Sequence, residues 1–107
     1  MGIQYSKQLT KAPLDDKMQV LWGQWVPRAL YDQISRDTAE RVPRLVPGKL
    51  YRLQDIYGDQ AWVALGNAWV RRKAGRCFAH MVAKGIFPLT FVQYKRSATK
   101  RYLLNSG

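Results

Sequence analysis

The segment from Ala68 to Lys84 constrains this chain more than any other. It is bracketed by Gly66-Asn67 on one side and by Gly85 and Pro88 on the other. These residue types open and close helices: Asn caps the N-terminus, Gly caps the C-terminus, and Pro bars continuation. At about 100° per residue, Val70, Ala74, Cys77, Phe78, Met81 and Val82 fall within one arc. Arg72, Lys73, Arg76, His80 and Lys84 occupy the opposite arc, and Arg71 lies at the apolar edge, where its stem can snorkel. The spacing predicts an amphipathic helix over 68–84 with one apolar and one cationic face. Gly75 sits mid-helix at a cost of about 1 kcal/mol against alanine, which suggests that another group approaches there.

Charge sharpens the picture. All seven of the chain's Asp and Glu lie before Gln60, alongside nine Lys and Arg; from Gln60 to Gly107 there are nine more cations and no acid. A one-sided positive field of this kind concentrates and captures polyanions. With 107 residues, 47% of them hydrophobic, the chain can bury a single core. The expected division is a flexible tail over 1–15 and one domain over 16–107. A lone cysteine, Cys77, forms no internal disulfide and no cysteine-based metal framework, which fits a reducing, cytoplasmic setting. No apolar run approaches the roughly 20 residues of a membrane span.

The rest of the chain reads as punctuation and short elements. Met18, Val20, Leu21, Trp22, Trp25 and Val26 form an apolar cluster, extended or helical, that covers the core. Pro27 suits the first turn of a helix, and Leu30, Ile34 and Val42 give the apolar stripe of a helix over 27–41. Pro43 and Pro47-Gly48 stop it and turn the chain. Residues 49–53 alternate apolar and basic like a strand. A single turn follows at 55–58, and then a short helix over 60–65, capped by Asp59, buries Trp62 and Leu65. Residues 89–94 and 101–104 are rich in β-formers and flank a basic loop, so they predict a hairpin.

Helix, strand, short helix, tight turn, basic helix and basic-tipped hairpin follow one another in that order. The arrangement Trp62-x-x-Leu65-Gly66-Asn67, then Arg71-Arg72-Lys73, Arg76 and His80, then Lys95-Arg96 and Lys100-Arg101 resembles the winged helix-turn-helix superfamily of DNA-binding domains, in the style of small phage and plasmid regulators. The resemblance covers roughly Pro27 to Leu104. It implies an α+β fold with an N-terminal helix and a C-terminal β-hairpin wing, and a transcriptional regulator or DNA-organising factor that binds duplex DNA sequence-specifically. Helix 68–84 would enter the major groove with Arg71, Arg72, Lys73, Arg76 and His80. The wing would offer Lys95, Arg96, Lys100 and Arg101 to the backbone or minor groove, and Trp69 and Tyr94 could stack. A homodimer is expected, with residues 18–34 as a partner surface.

Each signal has a plainer explanation. A cationic stripe opposite an apolar one is ordinarily a solvated face, and basic hairpin tips guard against edge pairing. The two together, in a half without acids, favour nucleic acid. Catalysis is not expected: Cys77 falls in the apolar arc of the helix and His80 in the cationic one, two-metal chemistry would rest on Asp55 and Asp59 alone, and no Gly-rich phosphate loop occurs. No cofactor and no metal are expected. RNA or single-strand binding is the alternative. A third reading is a membrane-associated, matrix-like protein, because Met1-Gly2-Ile3-Gln4-Tyr5-Ser6 matches the N-myristoylation pattern; the match is short, and a membrane is the lesser expectation.

Overall fold

Helices begin in this protein where side chains or backbone geometry supply a cap. The computed structural model describes residues 16–92 and 100–105. In chain order these form β1 (Lys17–Gln19), β2 (Trp25–Pro27), α1 (Arg28–Arg41), β3 (Leu50–Tyr51), α2 (Leu53–Tyr57), α3 (Asp59–Ala64), α4 (Ala68–Ala83), β4 (Leu89–Val92) and β5 (Arg101–Leu104). Among the described residues the fold is α+β, with four helices and two small antiparallel sheets. One sheet is the β1–β2 hairpin. The other runs in the order β3, β5, β4, pairing Tyr51 with Tyr102 and Phe91 with Tyr102 across the two ladders.

The basic amphipathic helix forms as its sequence dictates. The Asn67 side chain accepts the Val70 N–H at 3.0 Å, satisfying one of the donors that every helix start leaves open. Gly85, with φ +75°, ends it in the left-handed conformation that costs glycine least. Ala74, Cys77, Phe78, Met81 and Val82 are buried as the wheel predicts, and Ala79 joins them. Phe78 meets Tyr102 edge-to-face with centroids 4.9 Å apart, and Phe87 at 5.7 Å. Thus α4 is bound to the sheet by aromatic contacts, each worth about 0.5–1.5 kcal/mol beyond area burial. On its other side Ile34 and Thr38 from α1 are fully buried in the same core. The Thr38 hydroxyl donates to the Ile34 carbonyl at 2.6 Å, so burying it leaves no unmet donor.

The apolar cluster over 18–26 is a β-hairpin. Val20 and Val26 enter the core, while Trp22 and Trp25 are 67% and 55% exposed. Its tight turn, Leu21–Gly23, holds two left-handed residues in succession, Trp22 (φ 60°, ψ 27°) and Gly23 (φ 70°). That is the geometry of the primed turns that match strand twist, and it ordinarily selects Asn or Gly. A tryptophan there is strained by about 1–3 kcal/mol.

Several local expectations shift by a residue or two, each for an identifiable reason. Pro27 closes β2 and stands at the N-cap of α1, not inside its first turn. The strand expected over 49–53 is only Leu50–Tyr51, because the Asp55 carboxylate takes the Arg52 N–H at 2.8 Å and starts α2 there. Gly58, not Asp59, occupies the N-cap of α3; Asp59 lies in the first turn, where its charge faces the positive end of the helix. Trp62 and Leu65 are partly buried against the core. Among the described residues nothing outside the helix's own backbone approaches Gly75: a Cβ built there finds no such atom within 4 Å. The tail, the myristoylation-like segment, Tyr94, Lys95 and Arg96 lie outside the described residues.

Candidate nucleic-acid interface

The cationic side of α4 does not act as one surface. Lys73 turns towards the N-terminal hairpin, where its ammonium donates to the Trp25 carbonyl at 3.2 Å and lies 5.4 Å from the Trp69 ring. His80 faces α1: its Nδ1 shares a 3.0 Å hydrogen bond with the Tyr31 hydroxyl, and the two rings meet edge-on at 5.7 Å. Burial, and then the nearby Lys84, hold the His80 imidazole below its ordinary pKa, so it is neutral at neutral pH and adds no charge for a polyanion. Arg72 and Lys84 are exposed, Arg76 is partly exposed, and Trp69 is 50% exposed.

Arg71 and Arg72 turn the other way, into a groove of about 200 Å³ between α4, the start of α2 and the first residues of β5. Arg52, Arg71, Arg72 and Lys100 line it with their charges, over a floor of Leu53, Trp62, Gly75 and Tyr102. One of the four charges is already matched. The Arg52 guanidinium forks onto the Asp55 carboxylate at 3.1 and 2.8 Å, and this pairing is the main cause that lowers the Asp55 pKa. Arg71 spends one N–H on the Gly66 carbonyl at 2.6 Å, which fixes its guanidinium beside the helix start. Among the described residues, Arg71, Arg72 and Lys100 are in no ion pair. Tyr102 is 1% exposed, yet its hydroxyl has no hydrogen-bond partner among the described residues. A groove lined by three cations that are in no ion pair among the described residues suits an anionic group.

Of the cations expected to bind nucleic acid, the structure brings together Arg71, Arg72 and Lys100, and leaves Arg76 beside them on the open side of α4. Lys73 and His80 are turned away. Arg101 opens β5, where its charge helps to lower the Asp55 pKa. Lys100 also lies 5.6 Å from the ring of Trp22, so the strand that leads out of the basic loop meets the tip of the N-terminal hairpin. Sequence reasoning missed Trp22. The period-2 alternation of residues 101–104 places Tyr102 on the inner face, and the Trp22-Gly23 pair is a turn signal once the flanking residues are taken as strands.

A family profile described as "Domain of unknown function (DUF1413)" matches residues 36–103. The chain belongs to the DUF1413 family. The DUF1413 match runs from within α1 to the penultimate residue of β5. It therefore contains every residue named as lining the groove and leaves the β1–β2 hairpin ahead of it. No curated protein and no solved structure matches the chain. Among the described residues, no group of three or more His, Cys, Asp or Glu could hold a metal ion, and no helix is long and apolar enough to cross a membrane. Cys77 is buried, and burial pushes its thiol pKa up to about 12.

Proposed function

We propose that this protein binds duplex DNA sequence-specifically, as a winged helix-turn-helix whose reading surface is the N-terminal half of α4 together with the adjoining groove. The observation that carries this is the convergence of Arg71 and Arg72 with Lys100, from elements far apart in sequence, on one groove where none of the three has a paired carboxylate among the described residues. The element order supports it: a helix, a short strand, two short helices, the basic helix, and a hairpin whose β5 also pairs with the earlier β3. Two short helices, α2 and α3, stand where the superfamily has one.

Arg71, Lys100 and the Tyr102 hydroxyl take phosphate oxygens, which sets orientation and register. Arg72 and Arg76, four residues apart, reach the flanking phosphates and the base edges, where an arginine fork on guanine discriminates by about 1–3 kcal/mol. The protein acts by binding, with no chemistry of its own, as a transcriptional regulator or DNA-organising factor in the cytoplasm. A second copy would supply the second half-site. Val20, Val26 and Ile34 are spent on the protein's own core, so within residues 18–34 the surface left for that copy centres on Trp25. The test is selection of bound duplexes from a random pool, repeated with Arg72→Ala. The expected result is an enriched motif for the wild type that loses one or more positions in the variant. Failure to retain any duplex at low salt refutes the reading.

A further inference from the structure

We propose that the β1–β2 hairpin stacks an unpaired base on Trp22, so that the preferred ligand carries single-stranded nucleotides beside its duplex. The inference rests on the duplex-binding reading for the groove, and extends it to a part of the protein that lies ahead of the matched family region.

Three tryptophans, Trp22, Trp25 and Trp69, are half or more exposed, and only Trp62 packs against the core. Trp22 is the most exposed of them, at 67%, and it is held in left-handed backbone at the tip of a tight turn. An indole so exposed gains little from burial to offset that strain, and strain without a folding benefit points to use of the side chain. Its surroundings define the use. Lys100 lies 5.6 Å from the ring and also lines the cationic groove, so indole and groove share one residue. Beyond the indole, an apolar crevice of about 90 Å³ runs between Trp22, Ala79, Ala83 and Phe91. A cationic groove that leads to an exposed indole and an apolar recess matches a phosphate followed by its own flat base. Every base has a π-face, so stacking of this kind tolerates sequence and requires only that the base be unpaired. The acid-free stretch from Gln60 onwards favours this polyanionic occupant over an apolar peptide.

The experiment measures affinity for a blunt duplex, and for the same duplex extended by a short thymidine overhang or a uridine overhang. The two overhangs distinguish DNA from RNA as the source of the unpaired base. The full-length wild type is expected to bind an extended duplex about tenfold more tightly than the blunt one, with quenching of tryptophan fluorescence. Trp22→Gly relieves the left-handed residue, so it should melt no lower than the wild type while abolishing the increment; Trp22→Phe should restore most of it. Blunt-duplex affinity should be unchanged in both variants. If neither overhang improves wild-type binding, or if Trp22→Gly keeps the full increment, the stacking proposal is overturned and the duplex reading stands. If blunt duplex fails to bind while the extended one does, the duplex reading falls and stacking survives.

Discussion

The salt dependence of binding offers the sharpest test of the groove. Four cations on or beside it, Arg71, Arg72, Arg76 and Lys100, are in no ion pair among the described residues. If each neutralises one phosphate, binding to B-form DNA should fall with a log–log slope of about −3.6, at about −0.9 per contact. Between 50 and 200 mM salt the affinity should then drop by about 150-fold. Removing one contact with Arg72→Ala should reduce the slope to about −2.7 and the drop to about 40-fold. Arg28→Ala provides the control: Arg28, the first residue of α1, is already paired with Asp16 at 2.9 Å, so its removal should leave the slope where it was. Fluorescence anisotropy of a labelled duplex at several salt concentrations supplies the measurement. A wild-type slope shallower than about −1.5, or an Arg72→Ala slope equal to that of the wild type, would refute the claim that these side chains meet phosphates.

Three further outcomes are expected. Tyr102→Phe should weaken duplex binding by about tenfold through loss of a hydrogen bond to a charged oxygen, and should leave the melting temperature unchanged or raised because it deletes a buried, unmet hydroxyl; equal affinity in a titration would remove the hydroxyl from the interface. Asn67→Ala should destabilise the fold by about 1 kcal/mol in urea titration, since the Val70 N–H loses its acceptor, and an unchanged midpoint would show that the cap adds nothing. His80 has a lowered pKa in the folded state, so the unfolded chain binds its proton first as the pH falls. Stability should be full above the ordinary value of 6.5 and decline below it towards the folded pKa, and His80→Gln should flatten that part of the profile; an identical slope in the variant would place the proton elsewhere.

Local chemistry was readable from the residues alone wherever a single side chain or a short period decides the outcome. Asn67 and Gly85 bound α4 as expected because capping involves only neighbours in sequence. The inward arc of that helix followed from its 3.6-residue period, and the hairpin of β4 and β5 from clustered β-formers. Where two local rules compete, the reading slipped. Arg52 alternates like a strand residue, yet the Asp55 carboxylate three positions on takes its N–H and begins a helix.

What the candidate site contains was legible as an inventory of cations, but not as an arrangement. A helical wheel puts Arg72, Lys73, Arg76 and His80 on one side, and it has no knowledge of which neighbour packs against which degree of arc. Packing of α1 claimed His80 through Tyr31, and the β1–β2 hairpin claimed Lys73 through the Trp25 carbonyl. The sheet left Arg71 and Arg72 facing Lys100. By itself, the order of residues determined that a basic, capped, amphipathic helix would form in an acid-free half of the chain, because charge and periodicity are local properties. Only the tertiary structure decided which of those charges remain unmatched and which share a groove, because Coulomb and hydrogen-bond partners come from segments tens of residues away.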